Sequence, residues 1–245
     1  VRFIPSKSWF RKCFFRLGKV FLWLIFTVLV GVIILKWVPV LFTPTMFFRS
    51  MEAYFAGKDT KIHYEWVSYA QIADDMKLAV VASEDQRFPQ HTGIDFAAIQ
   101  VAVEENKTRT KMGYSARGAS TISQQVAKNV FLWQGGGYFR KALEVPLTYL
   151  IEVIWGKQRI LEVYLNIAEL GPQTFGVKAA SKRFFHKKPS QLTPIEAATL
   201  AAVLPNPNIY LAQYPNGAVI YKRNHILYQM RLLGGFAYLK GLRSF

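Results

Sequence analysis

A mainly α-helical domain preceded by a single N-terminal transmembrane helix is the fold class this sequence predicts, and three observations lead to it. An apolar run unbroken by charge occupies residues 20–35 and, past Lys36, continues through 37–42. Beyond it, apolar side chains recur at three- and four-residue spacing behind helix-capping pairs. Alternating strand patterns are almost absent, and no internal repeat or low-complexity linker divides the remainder.

The N-terminal segment sets the topology. Arg2, Lys7, Arg11, Lys12, Arg16 and Lys19 precede the apolar run, and no acidic residue stands before Glu52. That asymmetry keeps residues 1–19 cytoplasmic and exports the chain beyond the span. Residues 20–42 are long enough to cross a hydrocarbon core of about 30 Å at about 1.5 Å per residue, with Trp23 and Trp37 as interfacial anchors. Leu41-Phe42-Thr43-Pro44-Thr45 has no small-x-small cleavage site, so an uncleaved signal anchor is expected. Residues 47–245 then form one exported domain. Thr43-Pro44 reads as a helix start, followed by a stripe of Phe47, Phe48, Met51, Tyr54 and Phe55. Two placements fit that stripe, on the membrane interface or against the domain's own core. Ser68 and Gln71 form a capping-box pattern ahead of a helix that ends at Glu84. Composition marks 106–118 as a mobile basic loop. Ser120 or Thr121 caps the next helix, 157–170 reads as another, and Thr193-Pro194-Ile195-Glu196 opens an Ala-rich helix that stops near Leu204 before Pro205 and Pro207.

The chain has 245 residues, a formal net charge of +16 and 51% hydrophobic residues. So basic a chain invites a nucleic-acid reading, yet its cations are spread out and no nucleic-acid module is present, so nucleic acid is not the expected partner. An anionic membrane surface or an anionic lipid accounts for the same charge. The only cysteine, Cys13, lies on the basic side of the span, so the exported part has no thiol and no disulfide framework.

The residues able to do chemistry cluster in three segments, containing Glu84-Asp85, Gly118 to Asn129 and Arg140 to Glu144. On the helix after Gly118, Thr121, Gln125 and Lys128 share one face, a hydroxyl, an amide and an ammonium suited to an anion. Between Glu105 and Glu144 there is no acidic residue, while Lys107, Arg109, Lys111, Arg117, Lys128, Arg140 and Lys141 are all present. Arg140 and Glu144 are also placed for an intrahelical ion pair. His91 is within reach of Glu84, although a lone histidine is more often structural. His63, His186 and His225 lack metal-ligand spacing, so no metal site is expected. No Ser-x-x-Lys and Lys-Thr-Gly pair is present for acyl transfer. A proton-accepting carboxylate, a second carboxylate and fixed cations suit transfer of a sugar from a phosphate leaving group.

The segments Glu-Asp-x-x-Phe-x-x-His-x-Gly from Glu84, Gly-x-Ser-Thr-Ile-Ser-Gln-Gln from Gly118, Arg-Lys-x-x-Glu from Arg140 and Lys-x-x-Ile-Leu-Glu-x-Tyr-Leu-Asn from Lys157 resemble the ordered motifs of the family 51 peptidoglycan glycosyltransferases. A further match runs from Ala179 to Pro189 and from Leu192 to Ala198. With an anchor and no transpeptidase motif, the chain is similar to the monofunctional members. Ser123 stands where that family usually has Thr, which keeps the hydroxyl. The resemblance implies a lysozyme-like helical domain acting on lipid II at the outer face of the bacterial inner membrane. It assigns Glu84 as the general base toward the acceptor sugar's 4-hydroxyl and Glu144 as an assistant at the donor end. Lys128 and Arg140 would neutralise the departing undecaprenyl pyrophosphate, while Asp85, Phe88, His91, Thr121, Gln124, Gln125 and Asn129 would shape the site. The implied partners are lipid II, the growing glycan strand, membrane lipid and other cell-wall synthesis or division proteins. No cofactor is called for beyond an open question of a divalent ion, Mg2+ or Mn2+. A membrane-bound lytic hydrolase and a basic envelope scaffold are the rival readings.

Overall fold

The computed structural model describes residues 7–114 and 116–242, so Arg2 and Ser115 lie outside the described residues. The chain falls into two compact units, Val1–Val38 and Pro39–Phe245, and the second begins earlier than the boundary at 47 read from sequence.

The first unit carries helix α1, Lys7–Leu35. Its stretch Phe14–Leu35 is long and apolar enough to cross a membrane, and side chains such as Leu22, Trp23 and Phe26 lie exposed along it. The helix ends at Leu35, short of the 42 expected for the span. Pro39 explains this, because it has no N–H to donate and disfavours helical backbone at the residue before it.

In the second unit, α2 spans Pro44–Phe55, with Thr43 as N-cap accepting from the Met46 N–H at 3.2 Å and proline in its first turn. Its buried residues are Thr45, Met46 and Ala53, whereas Phe47, Phe48, Met51, Tyr54 and Phe55 are exposed. The aromatic stripe therefore does not pack on the domain's own core.

The expected capping box at Ser68 opens only a 3-10 turn, Tyr69–Gln71, and helix α3 begins later, at Asp74–Glu84. The delay has a tertiary cause. The Ser68 hydroxyl donates to the Gln71 side chain instead of capping backbone, and the Tyr69 N–H donates to Glu162 Oε1 at 2.8 Å. Helix α3 is buried from Met76 to Ala82 and packs against α8 (Pro194–Val203) and α9 (Gly217–Leu232). Thr193 and Glu196 form the expected capping box of α8.

Helix α4, Phe96–Lys111, is capped by Asp95. It takes up the first part of the loop expected over 106–118. Asn106 closes the turn after it, accepting from the Arg117 N–H at 2.7 Å and donating to Arg117 O at 3.0 Å.

Helix α5 is Ile122–Phe131, and α6, Gly137–Ile167, is broken at Gly156, where φ is 72°. The helix expected over 157–170 is the part of α6 beyond that break. It stops at Ile167 because Glu169–Gly171 (β2) pairs antiparallel with Thr174–Phe175 (β3), which in turn pairs parallel with His63–Tyr64 (β1). Helix α7 comes next, at Gly176–Phe185. A Cβ at Gly176, φ 78°, would stand 2.3 Å from the Asn166 carbonyl oxygen, so only glycine allows this approach. The core gathers Met76, Phe88, Ile122, Ile151, Trp155, Ile160, Leu161, Tyr164, Leu165 and Phe175, each no more than 2% exposed. Burying each contributes about 1.5–3 kcal/mol.

Candidate active site

Glu84 is the last residue of α3 and Asp85 its C-cap. The two adjacent carboxylates have different surroundings. Asp85 is 7% exposed, both its oxygens lie 3.0 Å from His91 Nε2, and its Oδ2 also accepts the Ile122 N–H at 3.0 Å. The Gly93 N–H donates to His91 Nδ1 at 3.1 Å, which leaves the ring proton on Nε2, facing Asp85. Thr121 caps α5, and its hydroxyl donates to the Gly93 carbonyl at 2.5 Å, while Gln124 returns its side-chain oxygen to the Thr121 N–H at 3.1 Å. Phe88 is fully buried, beneath the Lys157 ammonium at 4.3 Å from its ring centre. Asp85, Phe88, His91, Thr121 and Gln124 thus clamp the loop after α3 onto the start of α5. Asp85 and Thr121 also face the cavity at Glu84, whereas Phe88, His91 and Gln124 do not; the Thr121 hydroxyl is spent as a cap and lies outside the cavity that Gln125 and Lys128 share. Ser123 is likewise occupied, donating to Glu152, which Lys157 also pairs at 2.7 Å.

The Glu84 side chain remains partly open, in a cavity of about 380 Å³ that Gln86, Arg87, Arg117 and Ser120 also line. Gln125 Nε2 donates to Glu84 Oε2 at 2.8 Å, and the Tyr164 hydroxyl donates to Gln125 Oε1 at 3.3 Å. Burial pushes the Glu84 pKa above the usual carboxylate range; the Gln125 hydrogen bond and the Lys222 ammonium oppose that rise, and Asp85 adds to it.

Gln125 also lines a second cavity, of about 160 Å³, together with Arg49, Lys128, Asn129, Tyr164 and Glu169. Burial, then Arg140 and Arg49, lower the Lys128 pKa. Lys128 has no ion-pair partner among the described residues. Asn129 Oδ1 accepts from the Thr45 hydroxyl at 3.1 Å. Arg140 and Lys141 both pair with Glu144, Lys141 Nζ at 2.8 Å from Oε2, and Glu144 is 2% exposed. The intrahelical ion pair foreseen for Arg140 and Glu144 is therefore present. Glu144 lines neither cavity, and its carboxylate is covered by the two cations that pair with it. Burial, then Arg140 and Lys128, lower the Lys141 pKa. Lys128, Arg140 and Lys141 lie close enough to repel one another, and Glu144 pairs with only the last two, an imbalance suited to an anion.

Sequence reasoning missed Tyr164, Lys222 and Arg49 as members of the site. Tyr164 stands inside the fourth motif and was legible there. Lys222 and Arg49 reach the site from α9 and α2, with no local pattern to mark them. Among the described residues no group of three or more His, Cys, Asp or Glu converges as metal ligands.

Comparison with known proteins adds an independent line. The transglycosylase family profile matches residues 52–231. A biosynthetic peptidoglycan transglycosylase of Pasteurella multocida is 48% identical over 226 residues, covering 92% of this chain and 89% of its own length. Proteins of the same name from Pseudomonas syringae pv. tomato and Cronobacter sakazakii are 45% and 50% identical, covering 94% and 85% of this chain and 95% and 86% of their own lengths.

Proposed function

This chain belongs to the transglycosylase family, an enzyme family with a lysozyme-like helical domain, and from that premise we propose that it polymerises lipid II into β-1,4 glycan and releases undecaprenyl pyrophosphate. Glu84 removes the proton from the acceptor 4-hydroxyl as that oxygen attacks the donor anomeric carbon with inversion. Lys128, Arg140 and Lys141 take up the negative charge of the departing diphosphate, and Glu144 holds the last two in place. The diphosphate is a weak base and needs fixed positive charge more than a proton, so cations suit that end of the reaction better than a general acid does.

One observation carries the reading. Gln125 bonds Glu84 on one side and on the other lines the cavity of Lys128, which has no ion-pair partner among the described residues, so a base and a cation stand on either side of a single amide. Burial that raises the Glu84 pKa moves it toward the working pH, where a general base is most effective. The same shift favours the lytic rival, whose acid must be protonated. Two features weigh against that rival: the Gln125 NH2 donates to the Glu84 carboxyl, and Lys222 lies close enough to lower its pKa, both of which favour the charged form.

The apolar helix and its basic flank anchor the chain in the cytoplasmic membrane, with the catalytic domain on the periplasmic side beside other cell-wall synthesis proteins. The exposed aromatic stripe of α2 suits the lipid interface. The test is to incubate the purified protein with labelled lipid II and size the product. Polymer with released undecaprenyl pyrophosphate supports the proposal. Solubilised sacculi with untouched lipid II would replace it by the lytic reading.

A further inference from the structure

We propose that Tyr164 is a positioning residue for this reaction: its hydroxyl fixes the Gln125 amide with the NH2 turned toward Glu84, which holds that carboxylate in its proton-accepting form. The proposal rests on the reading of Glu84 as the base.

Two contacts define the chain. The Tyr164 hydroxyl donates to Gln125 Oε1 at 3.3 Å, and Gln125 Nε2 donates to Glu84 Oε2 at 2.8 Å. The two ends of a primary amide have opposite chemistry, since the NH2 only donates and the oxygen only accepts. An NH2 toward a carboxyl favours its charged form; an oxygen there is repelled by a carboxylate and is satisfied only by the protonated acid. Glu84 thus accepts or refuses its proton according to how Gln125 is turned. A hydroxyl can accept as well as donate, but turning the amide over would set two oxygens against each other at Glu84. With Glu84 ionised, only the observed arrangement leaves all three groups paired.

Tyr164 is built for this task. It is 2% exposed on α6, two residues before Asn166, whose amide donates to the Val67 carbonyl at 2.9 Å and whose oxygen accepts the Val67 N–H at 2.8 Å. The ring therefore has little freedom. Burial first, then the charges of Glu84 and Asp85, push the Tyr164 pKa well above its ordinary value, so the phenol keeps its proton wherever the enzyme works. The other charged groups near Glu84 are Asp85, on its own segment, Lys222 from α9, and Arg87, Asp95 and Arg117 around the same cavity, of which Arg87 pairs with Asp95 and Arg117 with Glu105. Asp85 and Lys222 shift its charge in opposite directions, and none of these groups bonds the Gln125 amide. Tyr164 and Gln125 share a cavity with Lys128, which makes no hydrogen bond to either.

The test measures kcat and KM for polymerisation of labelled lipid II against pH, with the full chain in detergent. Tyr164→Phe should displace the acid limb upward by about half to one pH unit, a roughly threefold to tenfold loss on that limb. KM should stay within about twofold, and the deficit should close at higher pH. Gln125→Leu should displace the limb in the same direction, and the double variant should be no worse than Gln125→Leu alone. Site-specific 3-fluorotyrosine at position 164 keeps the shape and strengthens the donor, so it should move the limb downward; this arm decides the matter if Tyr164→Phe does not fold. Superimposable profiles, a loss equal at every pH, or additive losses in the double variant would overturn the role of Tyr164. A wild-type chain inert toward lipid II would instead sink the base assignment beneath it.

Discussion

Replacing Glu84 by Gln separates chemistry from architecture at this site. The amide has nearly the size of the carboxyl, and its oxygen still accepts from Gln125 Nε2, the 2.8 Å hydrogen bond of the parent. The ability to take a proton is lost. General-base catalysis contributes about 10²- to 10⁴-fold, or roughly 2.7–5.4 kcal/mol of transition-state stabilisation. Turnover of labelled lipid II should fall by at least about a hundredfold, with lipid II binding near the parent value. Stability should move the other way. Burial raises the folded-state pKa of Glu84 above the ordinary value of 4.5. Below that ordinary value both folded and unfolded chains hold the proton, and Gln should be nearly neutral. As pH rises through the raised folded-state pKa, the parent loses stability by ionising a buried group, whereas the amide does not. The melting temperature of the Gln variant should therefore exceed the parent's by a margin that opens with pH. Polymerisation within threefold of the parent, or a variant that melts lower at neutral pH, refutes the reasoning.

Lys128→Ala should lower turnover by roughly 2–4 kcal/mol, as loss of a charge aimed at the leaving group does, without loss of melting temperature, because Lys128 is buried beside Arg140 and Arg49 and has no ion-pair partner among the described residues; normal turnover would remove it from the diphosphate site. Glu144→Gln leaves Arg140 and Lys141 without their counter-charge while both cations keep some access to water, so thermal or urea unfolding should report a loss of about 1–3 kcal/mol, and a variant as stable as the parent would show that the ion pairs contribute nothing. Removing residues through 42 should release the protein from membranes in a flotation assay while a folded domain still turns over detergent-solubilised lipid II, since every residue assigned to the site lies beyond α1. A folded but inert truncation would make the span part of the active architecture.

The order and type of the site's segments were legible because each depends on local chemistry. Thr121 with Gln124 and Thr193 with Glu196 are capping boxes that a few adjacent residues specify, and both form. Local pattern misled where distant groups competed for the same atoms. Ser68 reads as a cap, but the backbone around it is held by Glu162. The 157–170 helix loses its end to a sheet whose first strand begins at His63. The α2 stripe showed amphipathic spacing without showing which face the domain would bury; Met46 and Ala53 turned inward and the aromatic rings outward.

Sequence alone determined the helical class, the long apolar N-terminal run, the arrival of Glu84 at a helix end and the cationic character of the stretch that holds Lys128 and Arg140. These depend on spacing, capping and charge within short windows of chain. Only the tertiary structure decided the division of labour among those residues. Phe88 and His91 went to the scaffold, Asp85 and Thr121 bond to that scaffold at the wall of the Glu84 cavity, Glu144 pairs with the cations beside it, and of the two adjacent acids Glu84 is the more exposed, backed by Gln125 and Tyr164. The reason is physical: a side chain's role is set by which of its atoms are already bonded and how far it is removed from water, and partners such as Gly93, Ile122 and Tyr164 reach those atoms only once the chain has folded.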